Sequence, residues 1–164
     1  MPLTIADADS LAEVTESLNN YDGSVEVRGN IASLCHDYVS YAILHSSYMP
    51  RAAHGMYGTE YLVFSIQADK ILSISDLFTP EGLEALPQIL RRKARSMAGY
   101  IGATDIQSLP AGGNFYINNP GNLIFSYQPY EIASYAQGQI DIEIEPYVVS
   151  DYLTALGKKI LLNE

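Results

Sequence analysis

Three histidines, one cysteine and a short acidic strand are the side chains best suited to chemistry in this chain. A histidine needs a partner before it can act as a base or a ligand, and none of His36, His45 and His54 has one by motif. His36 and His45 stand nine apart in one β-rich run. The odd spacing puts them on opposite faces of a strand and about 30 Å apart if it is straight, too far to share a metal. Cys35, in Leu34-Cys35-His36, reads as a strand residue and an inert small hydrophobe rather than a nucleophile. A lone cysteine also excludes an intrachain disulfide and a cysteine-rich zinc site. His54 precedes Gly55 in an interruption between strands, where functional groups gather. Structural hydrogen bonding, contact with a partner, and acid/base chemistry with Asp76 or Glu131 are the roles open to it. Asp141, Glu143 and Glu145 alternate with Ile140, Ile142 and Ile144, the pattern of a half-buried strand with its acidic side in solvent rather than a calcium ladder. Arg91, Arg92, Lys93 and Arg95 hold four of the nine basic residues. With no glycine-rich phosphate loop before them they read as a solvated helix face. No nucleophile elbow, zinc-protease helix, P-loop or dinucleotide motif occurs. No catalytic residue, metal ligand or cofactor is therefore assigned, and a non-catalytic role is expected.

The elements that must position these groups follow from the punctuation of the chain. Ser10-Leu11-Ala12-Glu13 has capping-box spacing, and Leu11, Val14 and Leu18 recur at helical intervals, predicting a first helix over about 10–19. Val25, Val27 and Ile31 begin a β pattern, and a second run extends from Leu34 to Tyr48. Met49 to Gly55, with Pro50 inside, reads as a loop. A third strand through Tyr61–Ile66 turns near Asp69-Lys70 and continues through Ile71 to Ile74. Thr79-Pro80 is a cap followed by proline at the first helical position. Leu83, Leu86, Leu90, Ala94, Met97 and Ile101 form one helical stripe, which Pro87 is expected to divide. Phe115–Ile117 and Leu123–Phe125 flank Asn119-Pro120-Gly121-Asn122, with proline then glycine at the centre of a type II turn. Pro146 ends the acidic strand, and Val149, Leu153, Leu156 and Ile160 mark a closing helix.

This order favours an α+β fold: an antiparallel or mixed sheet of about six strands with helices packed mainly on one face. At 164 residues, 48% hydrophobic and 17% charged, a single folded domain spanning 1–164 is expected. The net charge of -10 argues against nucleic acid and favours a basic partner. No apolar run is long enough to span a bilayer, and Met1-Pro2-Leu3 begins no signal peptide, although an export or anchor segment could precede it.

Two stretches resemble a known bacterial family. The first is Ser47-Tyr48 leading to Ala53-His54-Gly55, then a strand, the turn at Asp69-Lys70, and Ile74-Ser75-Asp76-Leu77-Phe78. The second runs from Phe115-Tyr116-Ile117 through Leu123-Ile124-Phe125 to Pro129-Tyr130-Glu131-Ile132-Ala133, Tyr135-Ala136 and Gly138, and closes on Pro146-Tyr147. In this order and spacing they are similar to the RsiV-like C-terminal domain, domain of unknown function 3298, shared by a lysozyme-sensing anti-sigma factor and a peptidoglycan deacetylase. The likeness covers the chain from about Tyr21 onward. Arg51-Ala52 stands where the family usually has Gly-Gly. The resemblance implies an extracytoplasmic module, periplasmic or surface-exposed and often membrane- or lipid-anchored, without catalytic activity of its own. Its implied partner is a protein, lysozyme-like and basic, or a cell-wall glycan. The candidate partner-binding residues are Arg51 and His54 in the first loop and Pro129, Tyr130, Glu131 and Tyr135 in the second. Ile132 and Ala133 are expected to anchor that second segment, leaving Tyr130 or Tyr135 partly exposed.

Overall fold

The computed structural model describes residues 23–97 and 113–163; the helix expected over 10–19, with Ala111 and Gly112 of the glycine-rich loop, lies outside them. β1 (Ser24–Leu34), β2 (Tyr38–Tyr48) and β3 (Met56–Ser65) pair antiparallel in that order, and the short β4 (Lys70–Ile71) adds to β3. The β1–β2 register shifts between Ile31 and Ser33, a bulge at Ala32. Cys35 and His36 are not strand residues, as their β-rich surroundings had led one to expect. They form the β1–β2 hairpin loop with Asp37, exposed, with the Cys35 amide donating to the Tyr38 carbonyl at 2.9 Å. The reversal is held by polar contacts that the run of β-formers hides: His36 Nδ1 lies 3.1 Å from Asp37 Oδ1, which holds that carboxyl below its usual range.

After β4 the chain departs from the expected strand at Ile74. Ser73 and Asp76 form a capping box, with Asp76 Oδ2 accepting from the Ser73 amide at 2.8 Å, so Ile74 opens a short helix, α1 (Ile74–Leu77). The cap overrides the β-propensity of Ile71–Ile74. Helix α2 (Pro80–Ser96) begins as the sequence predicts, with the Gly82 amide donating to Thr79 Oγ1 at 3.1 Å. Pro87 does not divide it. The lost bond and ring clash cost about 3 kcal/mol, and burial of Leu86, Ile89, Leu90 and Ala94 on either side offsets this at about 1.5–3 kcal/mol for each large side chain.

β5 (Phe115–Ile117), β6 (Leu123–Tyr127) and β7 (Ile140–Ile144) form a second antiparallel sheet, with β6 central. The β5–β6 reversal sits one residue earlier than expected. The Gly121 amide donates to the Asn118 carbonyl at 2.7 Å, and Asn118 Oδ1 accepts from the Asn122 amide at 2.8 Å, so the side chain of Asn118 sets the turn. The expected closing helix is two pieces, a 3-10 helix Pro146–Tyr152 and α3 (Ala155–Leu162). Thr154 caps the second piece by accepting from the Gly157 amide at 2.9 Å and donating to the Asp76 carbonyl at 2.6 Å.

The architecture is thus α+β, but with two antiparallel sheets of four and three strands in place of one sheet of about six. The core lies between the second sheet and the helices. Phe115, Ile117, Leu123, Phe125, Tyr127, Ile142 and Ile144 meet Leu77, Leu86, Leu90, Val149, Ile160 and Leu161 there, joined by Tyr38 and Val63 from the first sheet. Where β3 runs past β4, side-chain amides replace a backbone ladder. Gln128 Nε2 donates to the Thr59 carbonyl at 2.9 Å, and its Oε1 accepts from the Thr59 amide at 2.7 Å. Asn114 likewise accepts from the Tyr61 amide at 2.7 Å and donates to the Thr59 carbonyl at 2.5 Å. These bonds satisfy the open edge of β3 and tie the sheets together. The close approach also requires glycine at Gly58, where a Cβ would stand 2.7 Å from Gln128 Oε1. Among the described residues, no helix is long and apolar enough to cross a membrane.

Candidate functional site

The loop after β2 and the turn after β6 come together in space although about 76 residues separate His54 from Tyr130. In the first loop, Tyr48 donates to the Ala52 carbonyl at 3.5 Å, the Ala52 amide donates to Met49, and Arg51 takes a left-handed backbone with φ of 67°. In the second, β6 ends at Tyr127, Glu131 Oε2 accepts from the Gln128 amide at 2.8 Å, and Tyr130 takes φ of 72°. A non-glycine residue in this region is uncommon and costs about 1–2 kcal/mol. Asp69 and Asn163, the other two described non-glycine residues with positive φ, are types that tolerate it; arginine and tyrosine are not.

The rings meet between these loops. His54 stacks on Tyr135, with centroids 3.8 Å apart and planes 21° from parallel. Its Nε2 lies 3.3 Å from the Tyr130 hydroxyl, and its Nδ1 lies 2.9 Å from the Gly55 carbonyl. That carbonyl also accepts from the Tyr135 hydroxyl at 2.6 Å. A carbonyl can only accept, so the neutral imidazole that suits this contact carries its proton on Nδ1 and accepts at Nε2 from Tyr130. Tyr130 and Tyr135 have centroids 5.5 Å apart, and Tyr57 meets Tyr135 edge-on at 5.7 Å. Tyr130 is 58% exposed, His54, Tyr57 and Glu131 are exposed, and Tyr135 is half-buried. Next to Tyr57, a cleft of about 160 Å³ runs along the sheet between Glu26, Arg28, Leu44, Ser46 and Thr59.

The structure therefore joins His54, Tyr130 and Tyr135 into one cluster with Glu131 at its rim. Ile132 is buried and anchors the segment, with Ala133 half-buried. Pro129 is buried, which makes it a shaper of the turn rather than a contact surface. Arg51 is exposed in the adjoining turn but makes no hydrogen bond or ion pair among the described residues. Tyr57 was missed in the sequence; only its position three residues after His54 marks it. The carboxylates considered as partners for His54 are engaged elsewhere: Asp76 with Lys70 at 2.5 Å and with Ser73, Glu131 with the Gln128 amide. The Lys70 contact holds Asp76 down at about 2. Among the described residues, no group of three or more His, Cys, Asp or Glu side chains is placed to hold a metal ion. A larger cleft, about 300 Å³ between α2 and β7, is lined by Ile89, Arg92, Lys93, Ser96, Ile144 and Val148 with Glu145, and contains no residue of this cluster.

Residues 75–147 match the family described as a protein of unknown function, DUF3298. Two crystal structures of DUF3298 family proteins share the fold. One, from Bacteroides fragilis, is 21% identical with a TM-score of 0.70 over 93% of this chain and 63% of that one. The other, from Pseudomonas aeruginosa, is 19% identical with a TM-score of 0.69 over 89% and 70%. The chain thus spans less than two thirds of the length of the Bacteroides protein. No curated protein matches it.

Proposed function

We propose that this domain is a non-catalytic, extracytoplasmic binding module that recognises a basic protein, lysozyme-like in charge, through the surface made by Arg51–Gly55 and Pro129–Tyr135. The observation that carries this reading is the pairing of two strained turns, at Arg51 and Tyr130, around exposed aromatic rings. Backbone strain persists where the surroundings over-determine it, and it gathers at binding surfaces. Exposed tyrosines give contact area at low entropic cost, and their ring faces attract the cationic side chains of a basic partner. Glu131 at the rim and a net charge of -10 favour the same class of partner. The resemblance to the domain shared by the lysozyme-sensing anti-sigma factor supports the extracytoplasmic setting, at the cell wall and anchored in the full-length protein. A cell-wall glycan is the second reading, because stacked rings beside a cleft also suit the face of a sugar.

The test is titration with lysozyme and with soluble peptidoglycan fragments, at low and moderate salt, on the parent chain and on Tyr130→Gly and Arg51→Gly. Glycine removes the side chain and also relieves the left-handed strain. Both variants should gain about 0.5–1 kcal/mol in stability while Tyr130→Gly weakens lysozyme binding at least 5-fold, about 1 kcal/mol. Binding to glycan but not to lysozyme selects the second reading. No binding of either up to about 100 µM overturns both.

A further inference from the structure

On the face of the first sheet that continues from the buried Tyr38, Ser40 and Ala42, two rows of side chains stand directly across the strands. Glu26, Ser46 and Tyr57 make one row, and Arg28, Leu44 and Thr59 make the next. Together they line the cleft of about 160 Å³ beside Tyr57, and His45 and Gly58 complete its lining. Glu26 is engaged through one oxygen only. Its Oε1 accepts from Arg28 Nε at 2.8 Å and lies 2.6 Å from Nη2, while Oε2 has no partner among the described residues. Both side chains are more than half exposed, so the pair contributes little to stability and gives way readily to another donor. Two strand spacings, about 10 Å, separate Glu26 from Tyr57, and the rings of Tyr57, Tyr135 and Tyr130 follow at centroid distances of 5.7 and 5.5 Å. The cleft is thus continuous with the aromatic cluster, and the band they form has a carboxylate at each end, Glu26 and Glu131.

We infer that this cleft is a guanidinium subsite of the same surface: it receives an arginine side chain of the basic partner, which replaces Arg28 on Glu26 and lies against the Tyr57 ring. The inference rests on the reading of that surface as a site for a basic protein. Arg28 shows the geometry, since its own guanidinium already sits on Glu26 at hydrogen-bond distance. Exchange of one guanidinium for another conserves the bonds to the carboxylate and releases Arg28 to water, at little cost for so exposed a pair. An incoming side chain can also use Oε2 and bind the carboxylate through both oxygens, which Arg28 does not do from two residues away on the same strand. Arginine suits the place better than lysine. Its planar, weakly hydrated head stacks on a tyrosine ring while its donors point at a carboxylate, whereas an ammonium is compact and strongly hydrated. Leu44, 41% exposed, offers apolar surface for the methylene stem. An anionic ligand is disfavoured by the negative ring faces and by the net charge of -10.

An NMR titration of the intact chain with N-acetyl-arginine amide, and in parallel with N-acetyl-lysine amide, tests this without a protein partner. The arginine compound should shift the amides of Glu26, Ser46, Tyr57 and Thr59 with a Kd on the order of millimolar, and bind at least about 3-fold tighter than the lysine compound. Glu26→Gln and the charge-neutral Tyr57→Leu should each weaken it about 5-fold, and Arg28→Gln, which removes the internal competitor, should tighten it about 3-fold. Glu60→Gln is the control for overall charge, because Glu60 is exposed on the opposite face of the same sheet; it should leave Kd within about 2-fold. Equal affinity for lysine, shifts scattered away from the cleft, or an equal loss in Glu60→Gln would overturn the inference. Titration with lysozyme separates it from the wider reading. Weaker lysozyme binding by Glu26→Gln but not by Glu60→Gln supports both. Lysozyme binding untouched by Glu26→Gln overturns the subsite alone, and arginine binding in the cleft without any lysozyme binding supports the subsite and overturns lysozyme as the model of the partner.

Discussion

β1 and β7 are both strands whose apolar residues alternate with polar ones, and yet they end in opposite environments. In β7, Ile142 and Ile144 are buried against the helices, while in β1 every residue but Ser33 is exposed among the described residues. The difference lies in what each sheet faces. The second sheet has α2 packed on it, and its central strand β6 is buried at all five positions. Among the described residues of the first sheet, Ser33, Tyr38, Ser40, Ala42, Val63 and Ser65 are drawn in near that core, and Gly58 and Thr59 at the contact with Gln128. Alternation therefore tells which residues share a face but not which element covers that face.

Matched truncations in the two sheets give the largest contrast. Phe125→Ala should cost about 3–5 kcal/mol, lowering the melting temperature by roughly 10 °C, whereas Leu44→Ala, 41% exposed and facing the cleft, should cost about 1 kcal/mol or less. Equal losses in thermal denaturation would break the comparison. Gln128→Ala tests the seam between the sheets. It removes two bonds to Thr59 and leaves the Thr59 amide unpaired, while the carbonyl keeps its bond from Asn114, so urea titration should show a loss of about 1–3 kcal/mol. The capping box of α1 is worth less. Asp76 is held at about 2, first by Lys70 and then by Ser73, so its contribution is full above about pH 4 and is lost as pH falls toward 2. The pair is partly exposed and screened; Asp76→Asn should cost about 1 kcal/mol at neutral pH and flatten the decline in melting temperature between pH 4 and 2. The smallest effect belongs to Tyr127, whose hydroxyl is buried without a partner among the described residues and whose ionisation burial pushes upward. Tyr127→Phe should leave stability unchanged or raise it by up to about 1 kcal/mol in the same titration.

Much of this was legible locally. The cap at Thr79-Pro80, the alternation of β7 and the loop holding His54 follow from nearest-neighbour chemistry, and the structure places them where that chemistry predicts. The misreadings have different causes. Pro87 lies inside a helix and Ile74 opens one, the first because of burial on both sides and the second because of a carboxylate two residues on. The split into two sheets was hidden because its ties are long-range: Asn114 and Gln128 act as strand-edge partners across 53 and 69 residues, and nothing in an isolated amide announces that use. Within the candidate site, the second loop could be recognised by its Pro-Tyr-Glu-Ile-Ala run and the resemblance it carries. The contact of its rings with His54 could not, because it is set by the seam.

That seam also orders events in time. Each sheet is a meander of sequential strands, joined by short loops except for residues 128–139 between β6 and β7, so each can form early from comparatively local contacts. The amide bonds of Asn114 and Gln128 join residues 53 and 69 apart, a larger loop closure than any strand pairing within either meander, so they are expected to close after both meanders form. Interactions made after the rate-limiting barrier act on escape from the native state rather than on entry into it. Removing the Gln128 amide should therefore steepen the unfolding limb of a chevron plot and leave the refolding limb nearly in place. By the same logic the meeting of His54 with Tyr130 and Tyr135 is among the last contacts to form and the first to be lost, so a partner that bridges the two loops would act as a brake on unfolding.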